Sequence, residues 1–427
     1  MARRAVQLEL GQAVVNPLDL YTSVLSTIHV LRKPPAMARK DAGTLALVLT
    51  GGGARAAYQV GFLRWMARHF PEMNFPILTG VSAGAINAAY LASYDGTQAE
   101  AVEHLTQLWR GLTVDKVFRI DAPSLLSHVA RWGIRLVSGG SPIAPRVRGM
   151  VDTAPLAETL TAGFGLFPGM EEIPGVARNL ETRQLSALGI VTSNYNTGQS
   201  ITWIQGRHLA GWQRPERRSR KSRLSLDHVM ASAALPFFFP AVNLEGDWHG
   251  DGGIRLTAPC APAIHLGATR ILALSTRCHA STNEADERMV QGYPPPLQIS
   301  GQLLNAIFLD DLSRDSQNLD RINMLLRDVP HERRRGLRPI QLLVARPSKD
   351  LGKMVAAFEP KLPKVFRYLV RSLGSRETSS PDVLSLLTFD PEYLGTLIDL
   401  GEADAAVHAE EIEALLNPAV SAAASPR

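Results

Sequence analysis

The chain has 427 residues, with 45 lysines and arginines against 40 aspartates and glutamates, and a formal net charge of +5 at pH 7. Hydrophobic residues make up 45% of the sequence and charged residues 20%, which is typical of folded globular proteins and excludes a largely disordered chain or a multi-span membrane protein. A chain of this length can bury a sizeable core, so we expect one large domain with appendages.

Residues 1–43 are predicted to form an amino-terminal extension. Apolar residues recur with helical spacing between Leu18 and Leu31, and a linker with the sequence KPPAMARKDAG follows. This spacing indicates a helix that docks on a core or a partner. The apolar stretch at the very start is interrupted by Gln7, Glu9 and Gln12, which disqualifies it as the core of a signal peptide.

From Thr44 the sequence alternates between strand and helix patterns. TLALVLT has the length and composition of a strand, GGGARAAYQVGFLRWMARHF turns from a loop into a helix, and FPILTG and AGAINAAYLAS repeat the pattern. Such units predict a mainly parallel sheet. The uncharged segment Met73–Tyr94 is long enough to suggest a membrane span, but its prolines, glycines and asparagines break it into shorter elements. We therefore predict buried core and no transmembrane helix.

The motif GVSAG, Gly80–Gly84, has the G-x-S-x-G form of a nucleophile elbow. In such an elbow a tight turn between strand and helix exposes the serine hydroxyl at the carboxyl end of the sheet, and small flanking residues permit the strained backbone. The amino terminus of the following helix would place its positive dipole end near developing negative charge. Ser82 is therefore a candidate nucleophile.

The loop GGGARAA, Gly51–Ala57, offers consecutive backbone amides between a strand and a helix. It matches a variant dinucleotide fingerprint, with Glu72 about 20 residues further on as the ribose ligand. It also suits an oxyanion hole for acyl transfer, and a purely structural glycine turn has the same pattern. Because a nucleophile elbow follows the next strand, we favour the oxyanion hole.

Residues 97–185 are predicted to be mainly helical and to form a lid or flanking layer.

Two basic runs, Arg214–Arg223 and His331–Arg338, are interpreted either as solvated loops or as sites for anionic lipid head groups. They lie in no recognisable nucleic-acid-binding motif and few aromatic residues accompany them, so no nucleic-acid partner is expected. Cys260 and Cys278 cannot form a disulfide framework and lack zinc-ligand partners, which favours a reducing compartment.

The segment EGDWHGDGGIRLTAP places Asp251 before Gly252 and Gly253 in a sharp turn that would expose a carboxylate. A structural Asx turn explains an Asp-Gly pair equally well.

Further strands are predicted at ALGIVTSNY, QSITWIQ, TRILALST and RPIQLLVA, and the region from Arg346 is helical by pattern with a disordered end. The predicted divisions are thus an extension (1–43), a catalytic domain (44–345) and a helical C-terminal extension (346–427).

In this order, the glycine-rich loop, GVSAG, the segment ASAALPFFFP (Ala231–Pro240) and Asp-Gly-Gly resemble the patatin-like phospholipase family. The likeness runs from about Thr44 to Thr276 and continues more weakly through RPIQLLVARPS and YLGTLIDLGEADA. It implies a three-layer α/β/α fold with a mainly parallel central sheet, a helical insertion and a helical C-terminal extension. It further implies a Ser-Asp dyad without a catalytic histidine, a metal or a cofactor.

The resemblance also implies roles for individual residues. Ser82 corresponds to the nucleophile and Asp251 to its general base, and the oxyanion hole corresponds to the amides of Gly51, Gly52 and Gly53. Residues expected to support the site are Arg55, Gly80, Gly84, Gly252 and Gly253. Ala56 departs from the family pattern, which has glycine there, and alanine fits only if its φ is negative.

The implied activity is hydrolysis of fatty-acyl esters of phospholipids or related lipids by a cytoplasmic protein that the basic runs could hold to an anionic membrane. LPFFFPAV (Leu235–Val242) lines an acyl channel in one interpretation and is ordinary core in another. One rival hypothesis is an α/β-hydrolase triad of Ser82, Asp251 and a later histidine such as His265 or His279; His249 is a further candidate for the base that a serine nucleophile needs. A second rival is a non-catalytic lipid-binding protein on the same fold.

Overall fold

The structure is a computed structural model of the whole chain, and it describes residues 44–119, 148–207, 209–278, 311–364 and 382–417 with isolated residues between these ranges. The predicted amino-terminal helix and linker, most of 120–147, His279 and the end of the chain from 418 lie outside the described residues. The domain boundaries therefore stay predictions.

Nine strands form one sheet in the described part of the chain, in the order β5-β4-β3-β2-β1-β8-β9, with β6 paired to β7 and β7 paired to β3. The pairs β1–β2, β2–β3, β1–β8, β8–β9 and β4–β5 are parallel, whereas β3–β4, β3–β7 and β6–β7 are antiparallel. The predicted mainly parallel sheet is confirmed. The strands are β1 Leu45–Leu49, β2 Ile77–Val81, β3 Ala187–Asn194, β4 Ser200–Gly206, β5 Arg217–Lys221, β6 Val242–Leu244, β7 Asp247–Asp251, β8 Arg270–Leu274 and β9 Gln341–Ala345.

Helices cover both faces of this sheet, which gives the predicted three layers. Along β1, Leu45, Leu47 and Leu49 pack into one hydrophobic core, while Ala46 and Val48 pack into a second core on the opposite face. A central parallel strand is buried on both sides, which explains its unbroken apolar sequence. The helices are α1 Ala57–His69, α2 Ala83–Ser93, α3 Gln98–Arg110, α4 Val114–Val117, α5 Ala154–Gly163, α6 Val176–Glu181, α7 Leu226–Ser232, α8 Ala261–His265, α9 Asp311–Arg327, α10 Leu351–Val355, α11 Asp382–Leu387, α12 Pro391–Val407 and α13 Ala409–Leu416.

The predicted helical C-terminal region packs against the first helix of the fold. A Cβ on Gly61 of α1 would lie 1.9 Å from the carbonyl oxygen of Ile398, and one on Gly401 of α12 would lie 2.2 Å from the carbonyl oxygen of Tyr58. The two backbones therefore touch where α1 and α12 cross, which requires glycine at both positions. Asp390 begins α12 by accepting hydrogen bonds from two amides of its first turn.

The first basic run contains a strand that its sequence did not indicate. Residues 217–221 form β5 at the edge of the sheet, parallel to β4, so the interpretation of this part as a loop was wrong. Charged residues on an edge strand discourage pairing with other chains, and they also remove the apolar alternation by which a strand is recognised. Arg220 and Arg223 pair with Glu245 and Glu172.

Candidate active site

Ser82 lies in the sharp turn between β2 and α2, with φ 56° and ψ −133°. Such a conformation is strained for a residue with a side chain, and strain of this kind is concentrated at functional sites. The flanking glycines are required by close approach, because a Cβ on Gly80 would lie 2.3 Å from the Gly84 carbonyl oxygen and one on Gly84 would lie 2.4 Å from the Leu49 carbonyl oxygen. The local geometry is that of a nucleophile elbow.

Strand β3 brings Ser82 and Asp251 together. Val81, the last residue of β2, lies opposite Val191, and Asp251, the last residue of β7, lies opposite the next residue, Thr192. Because β4 occupies the other edge of β3 along this stretch, β2 and β7 meet end to end on the same edge. Val191 and Thr192 are successive residues of β3, and successive residues along a strand are about 3.3 Å apart. Ser82, which follows Val81, therefore lies next to Asp251.

The Asp251 carboxyl group is completely buried. Its Oδ1 accepts a hydrogen bond of 2.8 Å from the amide of Gly253, and its Oδ2 has no hydrogen-bond partner among the described residues. Burial raises the pKa of Asp251 to about 7, although the Ser82 hydroxyl and the Gly253 amide act in the opposite direction. Gly252 passes so close to β3 that a Cβ there would lie 2.2 Å from the Val191 carbonyl oxygen.

The glycine-rich loop runs beside Ser82. A Cβ on Gly51 would lie 2.8 Å from the Ser82 Cβ, and Gly52 and Gly53 line a cavity together with Ser82 and Asp251. The Thr276 hydroxyl donates a hydrogen bond of 2.5 Å to the carbonyl of Gly51, which orients the peptide whose amide belongs to Gly52. Within the described residues, the amides of Gly52 and Gly53 have no hydrogen-bond acceptor, so they are available to an oxyanion.

Arg55 and Ala56 belong to a 3₁₀ turn, Gly53–Ala56, between the glycines and α1. Ala56 has φ −66°, so the alanine that departs from the family pattern occupies a helical conformation without strain. The Arg55 side chain is 3% exposed and forms an ion pair with Asp382. Arg55 therefore points away from solvent and into the protein.

Ser232, at the end of α7, contacts the elbow and was not singled out from the sequence. Its hydroxyl donates a hydrogen bond of 2.6 Å to the Val191 carbonyl and accepts one of 3.0 Å from the amide of Ser82. Ser232 is completely buried. It lies inside ASAALPFFFP, the segment that served as a family landmark, but a serine among alanines has no sequence signature for this contact.

An apolar cavity of about 750 Å³, including its open mouth, leads away from Ser82. It shares Gly53, Ser82, Ala233, Phe239 and Phe389 with the smaller cavity, about 450 Å³, that also reaches Asp251. The side chains that line the rest of the larger cavity come mostly from α2, α3 and α5 and include Ile86, Tyr90, Leu105, Leu108, Trp109, Leu156, Leu160 and Phe164.

The phenylalanine-rich segment is divided between the cavity and the surface. Phe239 lines both cavities, and Leu235 lines the smaller one. Phe237 is 74% exposed and has φ 67°, a conformation that is rare for an aromatic residue. The segment is thus neither entirely channel nor entirely core.

No histidine is among the described residues that line the two cavities. His249 is buried, and its Nδ1 is 2.9 Å from the Thr192 hydroxyl; burial lowers its pKa to about 4. The His265 ring stacks on Trp212 at 4.6 Å, and burial followed by neighbouring arginines lowers its pKa. The third candidate, His279, lies outside the described residues.

Glu72 does not lie where a ribose ligand is needed. It is in the turn before β2, and therefore at the amino-terminal edge of the parallel strands, whereas the glycine-rich loop follows β1 at the carboxyl edge. Dinucleotides bind at the carboxyl ends of the strands in such sheets, so Glu72 does not fit the fingerprint. The described residues contain no cluster of three or more histidine, cysteine, aspartate or glutamate side chains that could hold a metal ion. They also contain no helix with the length and hydropathy to cross a membrane.

Comparison with known proteins agrees with the predicted resemblance. A family model described as patatin-like phospholipase matches residues 47–264, a range that contains the glycine-rich loop, the elbow, Ser232 and Asp251. This match confirms the resemblance that the sequence motifs indicate. No curated protein sequence matches the chain.

Several solved structures are similar to the chain at low sequence identity. Human GIVD cytosolic phospholipase A2 is 12% identical, with a TM-score of 0.45 over 94% of this chain and 63% of that one. VipD from Legionella pneumophila is 12% identical, with a TM-score of 0.31 over 83% of this chain and 67% of that one. The type III effector protein ExoU is 15% identical, with a TM-score of 0.33 over 87% of this chain and 53% of that one. The chain therefore spans about half to two thirds of the length of these structures.

Proposed function

Because the chain belongs to the patatin-like phospholipase family, we propose that it hydrolyses fatty-acyl esters of phospholipids or related lipids through a dyad of Ser82 and Asp251. The observation that carries this proposal is the end-to-end meeting of β2 and β7 on β3, which makes a strained serine and a buried carboxylate neighbours. A non-catalytic lipid-binding protein would require neither the strain nor the buried charge.

In the first half of the reaction, Asp251 accepts the proton of the Ser82 hydroxyl as the oxygen attacks the ester carbonyl carbon. The carbonyl oxygen becomes an oxyanion, and the amides of Gly52 and Gly53, which line the cavity at Ser82, stabilise it at roughly 3 kcal/mol for each donor. The tetrahedral intermediate then breaks its bond to the alcohol oxygen. Asp251 returns the proton to this leaving oxygen, and the acyl group stays on Ser82 as an ester.

In the second half, water attacks the acyl-enzyme and gives its proton to Asp251. When the second tetrahedral intermediate collapses, the bond between the acyl carbon and the Ser82 oxygen breaks, Asp251 returns the proton to this oxygen, and the fatty acid is released. A buried carboxylate suits this double role, because its pKa of about 7 makes it a stronger base than an exposed aspartate when it is ionised.

We place the acyl chain of the substrate in the larger cavity. Its lining is almost entirely aliphatic and aromatic, and it begins at Ser82. Removal of an alkyl chain from water into such a lining is favourable by about 25 cal/mol for each Å² of buried apolar surface. The alcohol part of the substrate would lie towards the smaller cavity, which contains Asp251 and is otherwise lined mainly by glycines and apolar side chains.

We also propose that the protein contacts an anionic membrane surface. This contact is supported by the exposed Phe237 two residues before Phe239, which lines the cavity, and by the arginines of β5. An exposed aromatic ring suits the boundary between water and lipid, and basic side chains attract anionic head groups.

The experiment is to measure fatty-acid release from phospholipid vesicles by the wild-type protein and by Ser82→Ala and Asp251→Asn. Each substitution is expected to lower the rate by more than about 1,000-fold. Vesicles with and without anionic lipid test the membrane contact, for which we expect faster release with anionic lipid and a loss of this difference in high salt. Equal release by the wild type and Ser82→Ala would exclude the proposed function.

A further inference from the structure

The glycine-rich loop is bound to a part of the chain far outside the range that the family model matches. The Arg55 Nε donates a hydrogen bond of 2.6 Å to the Ser385 hydroxyl, and its Nη2 donates one of 2.5 Å to the Asp382 carboxylate. The Ser385 hydroxyl in turn donates to the Asp382 main-chain carbonyl at 2.7 Å. Arg55 thus binds both ends of the first turn of α11, 327 residues away in the sequence.

The same helix touches the loop through its main chain. Gly53 has φ 53°, and a Cβ at this position would lie 2.2 Å from the carbonyl oxygen of Leu386. Glycine is therefore required at residue 53 both by its own backbone conformation and by contact with α11. One of the amides proposed for the oxyanion hole is held directly against this helix.

The residues that follow this contact form a wall of the site. Leu386, Leu387 and Phe389 line the smaller cavity with Ser82 and Asp251, and Phe389 also lines the larger one. All three side chains are less than 10% exposed. We name residues Asp382–Phe389 the α11 wall.

We propose that Arg55 is a positioning residue, which ties the glycine-rich loop to the α11 wall and so holds the oxyanion amides and the cavity wall in one fixed arrangement around Ser82. The effect on catalysis rests on the proposed function, whereas the contacts of Arg55 with Asp382 and Ser385 do not. The planar guanidinium group suits this role because it reaches two acceptors at once, whereas a lysine ammonium carries one compact charge. The proposal predicts that residues 382–389 belong to the active site although they lie outside the matched family range.

The test compares Asp382→Asn and Arg55→Lys with the wild type, and uses Asp399→Asn as the matched control. Asp399 pairs with Arg110 at 3.0 Å on the surface of α12, so this control removes one aspartate charge and one arginine pair away from the cavity. The rate constant for labelling of Ser82 by a long-chain alkyl fluorophosphonate is measured for each protein, together with kcat and KM for a soluble acyl ester. Thermal unfolding of each variant is recorded alongside.

We expect Asp382→Asn and Arg55→Lys to lower the labelling rate constant and kcat by about 10- to 100-fold, as a displacement of reacting groups by an ångström would, with a smaller change in KM. Asp399→Asn is expected to stay within about 2-fold of the wild type. A merely structural role of Arg55 would lower the fraction of protein that labels and leave the rate constant of that fraction unchanged. Wild-type rate constants in folded Asp382→Asn and Arg55→Lys would overturn the proposal.

Two further measurements keep the result decisive. Ser385→Ala removes one neutral acceptor and leaves the ion pair, so it serves if the charge-changing variants do not fold, and its rate constant is expected to fall about 3- to 10-fold. Amide hydrogen exchange of the peptide that covers Gly51–Ala56 reports on the loop without any chemistry. Exchange that is faster in Ser385→Ala or Asp382→Asn than in Asp399→Asn supports the tie, and unchanged exchange excludes it. A wild-type protein that does not label would defeat the proposed function alone.

Discussion

The hydroxyl of Ser232 accepts a hydrogen bond of 3.0 Å from the amide of Ser82 and donates one of 2.6 Å to the carbonyl of Val191. One buried side chain thus connects the elbow to the strand that aligns it. We expect Ser232→Ala to leave the Ser82 amide without its acceptor and to reduce the rate of fluorophosphonate labelling by about 3- to 10-fold. Labelling kinetics measure this directly.

Ser193→Ala is the matched control for this substitution. Ser193 is also buried, but its hydroxyl has no hydrogen-bond partner among the described residues, so its removal is expected to change the labelling rate by less than about 2-fold. If both variants label at the same rate as the wild type, Ser232 does not position the nucleophile.

The pH dependence of the reaction should follow the ionisation of Asp251. The base must be unprotonated to act, and burial raises its pKa to about 7, so kcat/KM is expected to fall about tenfold for each pH unit below about 7. The pH–rate profile of the wild type, with a substrate that does not itself ionise, measures this. A profile that is flat down to pH 5 would contradict the assignment.

The same buried carboxylate should cost stability at neutral and alkaline pH. The pKa of Asp251 is raised from 3.8 to about 7 in the folded protein, so between these values the folded state holds a proton that the unfolded state has lost. The free energy of unfolding that comes from this group is therefore fully present below pH 3.8 and is lost as pH rises towards 7, by roughly 1.4 kcal/mol for each pH unit.

Asp251→Asn should remove this loss and be more stable than the wild type above pH 7, while it is inactive. Urea unfolding at several pH values tests the prediction, with the exposed Asp115→Asn as a control that should follow the wild type. A variant that is less stable than the wild type at pH 8 would show that the Asp251 charge is compensated in the folded state.

Replacement of histidines should spare activity. The His265 ring stacks on Trp212 and lines neither cavity at Ser82, so His265→Asn is expected to keep kcat/KM within about 2-fold. His279→Asn tests the remaining candidate in the same assay. A loss comparable to that of Ser82→Ala in either variant would favour the triad hypothesis instead.

The larger cavity predicts a chain-length effect. Leu160 lines it from α5, and a tryptophan at this position would fill part of the volume in which we place the acyl chain. Leu160→Trp is therefore expected to reduce hydrolysis of long-chain esters by about tenfold or more while short-chain esters are affected less. Val407→Trp, on the exposed side of α12 with 83% of the residue accessible, is the control. Equal effects on all chain lengths would place the acyl group elsewhere.

The sequence predicted those parts of the fold and site that are encoded by neighbouring residues. The elbow around Ser82 and the Asp-Gly-Gly turn are local patterns, and the apolar central strands are recognised by composition. The adjacency of Ser82 and Asp251 depends on the pairing of β2 and β7 with β3, which no local pattern contains. It was expected from the family resemblance alone.

Other features could not be predicted from the sequence for physical reasons. Ser232 and Thr276 contribute single hydroxyl groups that contact the main chain of distant residues, and such contacts leave no spacing to detect. The strand β5 consists of charged residues and serine, so it has no apolar alternation. The α11 wall lies far beyond the glycine-rich loop, the elbow and the Asp-Gly-Gly turn in the chain, and Arg55 joins it to the glycine-rich loop only in three dimensions.

Val81 and Asp251 pair with successive residues of β3. The register of this one strand therefore sets the positions of both Ser82, which follows Val81, and Asp251. A residue inserted into β3 before Val191 would shift Val191 and Thr192 by the same distance. Ser82 and Asp251 would stay adjacent, and the disruption would fall on the packing at the start of β3. A residue inserted between Val191 and Thr192 would open a gap between them of about 3.3 Å. Tolerance to insertion along β3 should therefore change abruptly at that one peptide bond.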